Sequence, residues 1–169
     1  MTTILCSNKM IKNKLLLENG FIVIDFPLSP LVLNLINNEN WHELDKYFLE
    51  ISKDDGALKH FLSDYLDFQT LEHIIAIRSD FLDDCPDEDG IWHDDGSRFL
   101  GFSLSLNLDP SSIEGGELRF RTKNSSNQKV FAPLPYGNIV LFLSGLFGYE
   151  HMVSAVTKGR RIVIAGWCS

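Results

Sequence analysis

The second half of the chain is a series of short apolar segments separated by glycine, proline, asparagine and serine. Because these residues favour turns, closely spaced segments of this kind predict the short strands of a sandwich or barrel. The predicted strands are 91–95, 99–108, 116–121, 129–134, 138–143, 151–157 and 160–168. We therefore expect residues 91–169 to form a core of packed strands.

The first half has the spacing of amphipathic helices. Ser29-Pro30 and the pair Asn40 and Glu43 are typical helix starts. Apolar residues then recur at steps of three and four: Trp41, Leu44, Tyr47, Phe48, Ile51, Leu58, Phe61, Leu62, Tyr65 and Leu66, with Leu71, Ile74 and Ile75 continuing the pattern. Residues 21–26 are instead predicted to be a strand. Helices followed by strands favour an α+β fold, a single domain over 1–169 with mainly helical support in 1–90.

Composition narrows the classes of partner and compartment. The net charge is −8 and no cluster of lysine and arginine is present, which argues against nucleic acid as a partner. The longest apolar stretch, 139–147, is too short to span a bilayer, and the first residues do not resemble a secretory signal, so no membrane partner is expected. Three cysteines form no pairing pattern, which favours the reducing cytoplasm.

Two residues of a predicted strand, His93 and Asp95, are candidate metal ligands. Side chains two positions apart on a strand share a face, so both donors can approach one ion, and His151 can complete the site. Two imidazoles and one carboxylate with open positions are typical of non-haem Fe(II) oxygenases, although zinc hydrolases use the same donors. The other histidines, His42, His60 and His73, lie in predicted helices and are interpreted as surface or structural residues.

The last predicted strand places a charge on an apolar face. Arg161, Val163, Ala165 and Trp167 alternate with Ile162, Ile164 and Cys168. An arginine on such a face requires an anionic partner, since an unpaired buried charge is strongly unfavourable. Arg161 therefore either binds an anion or is a surface arginine beside Arg160 and Lys158.

These features occur in the order and spacing of a known family. The motif at 93–95, the turn Gly115-Gly116-Glu117-Leu118 and the segment from His151 through Gly159 to Arg161 resemble the prolyl-4-hydroxylase-like branch of the Fe(II)/2-oxoglutarate-dependent dioxygenases. The resemblance covers residues 90–169. It implies a double-stranded β-helix, or jelly roll, backed by the N-terminal helices.

The resemblance also implies cofactors and roles. Fe(II) is bound by His93, Asp95 and His151, 2-oxoglutarate takes two further positions, and O2 takes the sixth. Arg161, rather than Arg160, binds the distal carboxylate of 2-oxoglutarate, because the basic residue of the family follows the glycine by two. The expected reaction hydroxylates a C–H bond of a prolyl residue or free amino acid and releases succinate and CO2. One alternative is a non-catalytic, cupin-like protein that binds a metal or small molecule. The other, the zinc hydrolase, is disfavoured because the resemblance places Arg161 where a dicarboxylate would bind.

The resemblance leaves several contacts open. Ser105 stands where the family often has a tyrosine, so Ser103 and Ser105 either contact 2-oxoglutarate or only fill the strand. Trp167 and Leu118 are either pocket or core residues. The acidic stretch 80–89 is either a solvated loop or an attractor for a cationic group. With 121–129, it would select a small polar molecule or a short peptide segment.

Overall fold

The structure is a computed structural model that describes residues 11–80 and 90–169. Its helices precede most of the strands: α1 Lys14–Asn19, α2 Pro30–Asn37, α3 Trp41–Ile51 and α4 Ala57–Ser63. The predicted caps of α2 and α3 are confirmed, because Ser29 Oγ accepts the N–H of Leu31 and Asn40 Oδ1 accepts the N–H of Glu43. In the described part of the chain, no helix is both long enough and apolar enough to cross a membrane.

The strands begin before residue 90 and continue to the end. They are β1 Phe21–Asp25, β2 Leu71–Ser79, β3 Leu100–Ser105, β4 Glu114–Gly115, β5 Leu118–Thr122, β6 Lys129–Phe131, β7 Asn138–Leu143, β8 Tyr149–Val153, β9 Val156–Lys158 and β10 Arg160–Cys168. Two short 3₁₀ turns lie at Pro110–Ser112 and Gly145–Phe147 in the described residues.

The strand order is that of a jelly roll. The large sheet has the order β1-β7-β3-β10-β2, the small sheet has the order β6-β5-β8, and β4 pairs with β9. A single bridge between His93 and His151 places the His93 segment beside β8. After β2 the chain passes between the sheets several times, and except for β5 and β6 the paired strands are not consecutive in the chain. The predicted double-stranded β-helix with supporting helices is therefore confirmed.

The large sheet is covered on both faces. On β7, Ile139 and Leu141 pack with the helices, whereas Val140 and Phe142 pack toward the small sheet. A strand buried on both faces is a nearly continuous apolar run, as the sequence of β7 shows. The helices therefore occupy one face of the large sheet, and the small sheet occupies the other.

The predicted continuation of the helical pattern through Leu71, Ile74 and Ile75 is wrong, because these residues lie in β2. Ile75 and Ile77 pack toward the helices, whereas Ile74 and Ala76 line a cavity on the other face. Both faces are apolar, and an apolar run of this kind does not distinguish helix from strand by spacing alone. The β-branched isoleucines favour the strand.

Two predicted strands also differ from the structure. Residues 91–95 form one bridge rather than a strand, and the predicted strand 151–157 is divided between β8 and β9. The division occurs at Ser154, whose N–H donates to the carbonyl of Glu117 outside the regular ladder. Ser154 and Ala155 therefore form the step from the small sheet to the β4–β9 pair.

His73 was predicted in a helix and lies instead in β2, where its side chain is 3% exposed. Its Nε2 is 3.4 Å from Asp45 Oδ1 on α3. Burial lowers the pKa of His73, and Asp45 opposes this shift only in part. The histidine is therefore structural: it is buried between the large sheet and α3 in its neutral form.

The buried neutral state of His73 predicts a pH-dependent stability. Below about pH 6.5 the unfolded chain binds a proton at His73 before the folded chain does. The free energy of unfolding should then decrease as the pH falls below that value, by at most about 1.4 kcal/mol per pH unit for this group. Urea unfolding between pH 7.5 and pH 5 should show a smaller decrease for His73→Gln than for the wild type. The exposed His60 on α4 is the control, since His60→Gln should keep the wild-type slope. An unchanged slope in His73→Gln would contradict this role.

Candidate functional site

The structure brings the three predicted ligands together at the edge of the small sheet. His93 Nε2 lies 3.6 Å from Asp95 Oδ1, and His151 Nε2 lies 3.7 Å from Asp95 Oδ2. One donor atom from each residue falls within 4.8 Å of the other two. The backbones of His93 and His151 exchange two hydrogen bonds, of 2.9 and 2.8 Å, which fix the two imidazoles side by side.

Asp95 reaches this point through a turn rather than through strand alternation. Its φ is 57°, in the left-handed region, which aspartate adopts more readily than most residues other than glycine. The predicted convergence is therefore found, but the reason given for it was wrong. The turn, and not a period of two, directs the carboxylate toward the imidazoles.

The electrostatics of His151 and Asp95 fit a bound cation. Burial lowers the pKa of His151 to about 3, with a further contribution from His93, so the imidazole is neutral and able to bind a metal. Burial is also the main cause of the raised pKa of Asp95. In the described residues, Asp95 Oδ2 and His151 Nδ1 are buried without a hydrogen-bond partner. A divalent cation among the three side chains would stabilise the buried carboxylate as its anion.

The carboxylate and one imidazole have further support. The Trp167 side chain acts on the Asp95 carboxylate and lowers its pKa, against the larger effect of burial. The Arg98 guanidinium lies 5.0 Å from the Trp167 ring centroid and binds Glu72 at 2.8 Å. The ring centroids of Phe142 and His151 are 4.6 Å apart. His93 Nδ1 is 3.0 Å from the carbonyl of Ile91, which directs Nε2 to the site.

A cavity of about 620 Å³ lies between the two sheets and connects the triad with the large sheet. Among the residues singled out from the sequence, its wall contains His93, His151, Arg161, Ser103, Leu118 and Trp167. The faces predicted for β10 are therefore found, because Arg161, Val163, Ala165 and Trp167 line this cavity while Ile162, Ile164 and Cys168 pack toward the helices.

Arg161 lies in the cavity wall and is 5% exposed. Its Nη2 donates to Ser103 Oγ at 3.3 Å. Burial, with a smaller contribution from Arg78, lowers the pKa of Arg161 to about 10, so the guanidinium keeps its charge at neutral pH. Among residues 11–80 and 90–169, no carboxylate forms an ion pair with it. A buried charge of this kind fits an anionic ligand.

The glycine turn makes room for that arginine. Gly115 and Gly116 have φ values of 78° and 69°, which glycine adopts without strain. A Cβ at Gly116 would lie 2.9 Å from Arg161 Cδ. The structural role predicted for the two glycines is confirmed, and it includes the space that the Arg161 side chain occupies.

Ser105 differs from Ser103, although both lie on the same face of β3. The Ser105 hydroxyl donates to the carbonyl of Leu134 at 2.5 Å and accepts a hydrogen bond from Asn107 Nδ2 at 2.9 Å. It lines a small neighbouring void rather than the main cavity. These contacts support a structural role for Ser105, and its contact with 2-oxoglutarate stays a prediction.

Several side chains near the site were not found from the sequence. Arg78 on β2 lies opposite Arg161 in the strand register and also lines the cavity. Trp92 contacts Arg121, whose guanidinium carbon is 3.8 Å from its ring centroid. No spacing rule joins these pairs, because each depends on contacts between segments that are distant in sequence.

Some residues singled out from the sequence lie outside the described residues. They are 81–89 of the acidic stretch and two of the cysteines, Cys6 and Cys85.

Comparisons with solved structures agree with the fold. A prolyl-4-hydroxylase from Pseudomonas putida is 19% identical, with a TM-score of 0.58 and coverage of 91% of this chain and 90% of that one. A prolyl hydroxylase from Trichoplax adhaerens, solved with a peptide fragment of the oxygen degradation domain of hypoxia-inducible factor, is 17% identical, with a TM-score of 0.57 and coverage of 99% and 90%. A viral collagen prolyl hydroxylase from Paramecium bursaria Chlorella virus-1 is 15% identical, with a TM-score of 0.52 and coverage of 88% of each chain.

The sequence comparisons assign the family. A search of curated protein sequences gives no significant match. The family model of the 2OG-Fe(II) oxygenase superfamily matches residues 79–169, more than half of the chain, and this stretch includes both histidines, the carboxylate and the buried arginine. The chain therefore belongs to the 2OG-Fe(II) oxygenase superfamily and is a dioxygenase that uses Fe(II), 2-oxoglutarate and O2.

Proposed function

We propose that this dioxygenase hydroxylates a C–H bond of a prolyl or other amino-acid-type substrate. One oxygen atom of O2 enters the hydroxyl group, and the other enters succinate as 2-oxoglutarate loses CO2. The observation that carries the proposal is that the buried Arg161 lines the same cavity as His93 and His151, and that these two histidines converge with Asp95. These are the two sets of contacts that 2-oxoglutarate needs.

Different residues of the site would bind iron and orient 2-oxoglutarate. His93 and His151 would hold iron through imidazole nitrogens, and Asp95 would supply the anionic ligand. Bound iron with O2 supplies the oxidising chemistry. Arg161 would bind the distal carboxylate in a bidentate contact and so direct the 2-oxo-acid end toward the triad. Leu118 and the apolar face of β10 line this region and would keep water from a bound substrate.

The cavity wall supports an apolar substrate group. Ile74 on β2 and Ile91 line the cavity and are 50% and 52% exposed, so they form an apolar mouth. Among the described residues, the wall carries the basic side chains of Arg78 and Arg161 and no acidic one. A prolyl ring or an aliphatic side chain therefore fits this wall better than a cationic group does. The expectation of a cationic substrate depends on residues 80–89, of which 81–89 lie outside the described residues.

Two further features belong to this proposal. We propose a short peptide segment or a small molecule as the substrate, because the mouth is formed by single residues of β2 and the His93 segment. A cytoplasmic location is supported by the odd number of cysteines and by the reducing conditions that keep iron as Fe(II).

The test combines co-substrate binding with turnover. Metal-free protein titrated anaerobically with Fe(II) and 2-oxoglutarate should develop a visible charge-transfer band. Succinate release is then measured with a panel of potential substrates. The panel contains short peptides that differ only in one prolyl, leucyl or lysyl residue, and the corresponding free amino acids. We expect stimulation by prolyl or leucyl members and none by lysyl members.

A matched pair of variants tests the apolar mouth. Ile74→Glu and Ile91→Glu should reduce stimulation by the apolar substrate and leave the charge-transfer band unchanged, since neither residue belongs to the triad. Leu49→Glu is the control, because Leu49 is an equally exposed apolar residue on α3. If the charge-transfer band forms but no member of the panel stimulates succinate release, the result would favour the non-catalytic binding protein. Preferential stimulation by lysyl members would contradict the apolar substrate class.

A further inference from the structure

The segment that carries His93 has little regular structure of its own. It pairs with β8 through one bridge, at His151, and through a hydrogen bond of 2.8 Å from the Gly90 N–H to the Val153 carbonyl. Beyond His93 the chain turns at Asp95. Two metal ligands therefore lie on a segment that the sheet holds at few points, so side-chain contacts must supply the remaining constraint.

The residue before His93 is held by an arginine of β5. The guanidinium carbon of Arg121 lies 3.8 Å from the Trp92 ring centroid, within the range of a cation–π contact. Its Nε binds Glu150 Oε1 on β8 at 2.6 Å, and Glu150 is the cross-strand partner of Arg121. The guanidinium is thus fixed between the sheet and the indole, and both of its partners are partly buried.

The residue after His93 is held by a lysine beyond the end of β5. Lys123 Nζ forms an ion pair with Asp94 Oδ2. The Asp94 carbonyl accepts a hydrogen bond of 2.7 Å from the N–H of Gly145, and Asp94 Oδ1 accepts one of 3.0 Å from the N–H of Gly96. Asp94 is therefore connected both to the β5–β6 hairpin and to the turn that contains Asp95.

We propose that Arg121 and Lys123 are positioning residues that hold the His93 segment in its metal-binding conformation. Trp92 and Asp94 lie immediately before and after His93, so the two contacts restrain the ligand from both sides without touching the metal-binding atoms. The inference rests on the proposed metal site. It gives the loop 121–129, which was expected to select the substrate, a role in forming the iron site.

The expected effect is on metal affinity. Removal of side chains that orient metal ligands from outside typically weakens metal binding by about 10- to 100-fold. We expect the Arg121→Met/Lys123→Met double variant to bind Co(II) about 10- to 100-fold more weakly than the wild type. Each single variant should lose less affinity. The readout is therefore the affinity for Co(II), which is measured without turnover.

The experiment measures Co(II) binding to metal-free protein from the visible absorption of the bound ion. Arg119→Met is the matched control, because Arg119 lies two residues before Arg121 on the same face of β5 and pairs with Glu117 rather than with the His93 segment. Lys129→Met is the control for the lysine. Arg121→Lys keeps a cation beside Trp92 and should restore part of the affinity. At saturation the Co(II) spectrum of each variant should match that of the wild type, since the ligands are unchanged.

The outcomes separate this inference from the proposed function. If the wild type does not bind Co(II), both the proposed metal site and the positioning role of Arg121 and Lys123 are wrong. If the wild type binds Co(II) and the double variant binds it equally well, only the positioning role is wrong. An equal loss of affinity in Arg119→Met or Lys129→Met would also overturn it, because the effect would then come from general charge or stability. The single variants and Arg121→Lys carry the same test if the double variant does not fold.

Discussion

Turnover should fall by at least roughly 1,000-fold, or about 4 kcal/mol of transition-state stabilisation, when any one of the three triad residues is replaced. The substitutions that best preserve the structure are His93→Ala, Asp95→Asn and His151→Gln. Asparagine is preferable to alanine at position 95, because Asp95 has a φ of 57° and asparagine tolerates that conformation. Asp95→Asn also removes the charge without removing the volume.

The measurements for the triad are succinate formation and Co(II) binding, with circular dichroism to show that the fold is kept. His42→Gln is the control, since His42 is exposed on α3. Co(II), Ni(II) and Zn(II) should bind the wild-type site and inhibit it, because raw affinity does not favour iron. Full activity in any triad variant would remove that residue from the site.

The parts of the site that could be predicted from the sequence depend on short-range spacing. The alternation along β10 places Arg161 and Trp167 on one face of the strand, and this holds for any pairing of β10 with other strands. In the structure that face lines the cavity. The short strands and their turns likewise follow from local residue preferences. Spacing does not show that His151 lies beside the His93 segment. The family resemblance supplied that prediction.

The parts that could not be predicted depend on contacts between distant segments. β2 has two apolar faces only because helices cover one and the cavity the other, and its sequence alone is compatible with a helix. The position of Arg78 opposite Arg161 follows from the register of β2 against β10. The contact of Arg121 with Trp92 likewise requires β5, β8 and the His93 segment to be adjacent. The left-handed conformation of Asp95 has no local signal beyond the residue type.

Arg161→Ala should weaken 2-oxoglutarate binding by about 2–5 kcal/mol, or roughly 30- to 5,000-fold in Kd, and should leave Co(II) binding nearly unchanged. The reason is that the guanidinium is buried, keeps its charge and forms no ion pair with a carboxylate of the described residues. Arg161→Lys keeps the charge but loses the bidentate contact, so its affinity should lie between those of the alanine variant and the wild type. Anaerobic calorimetry of the Co(II)-loaded protein with 2-oxoglutarate measures the difference.

Arg160→Ala is the matched control for this experiment. Arg160 is exposed, binds Glu39 at 2.5 Å and lies 5.7 Å from the Trp41 ring centroid, so it belongs to the surface between β10 and the helices. Its loss should change the affinity for 2-oxoglutarate little, since an exposed ion pair contributes about 0–1 kcal/mol and contacts no ligand here. If Arg160→Ala rather than Arg161→Ala abolished binding, the register of β10 would be wrong by one residue. If neither variant changed the affinity, the distal carboxylate would have to bind another cation of the cavity wall, and Arg78→Ala would then identify it, because Arg78 faces the same cavity.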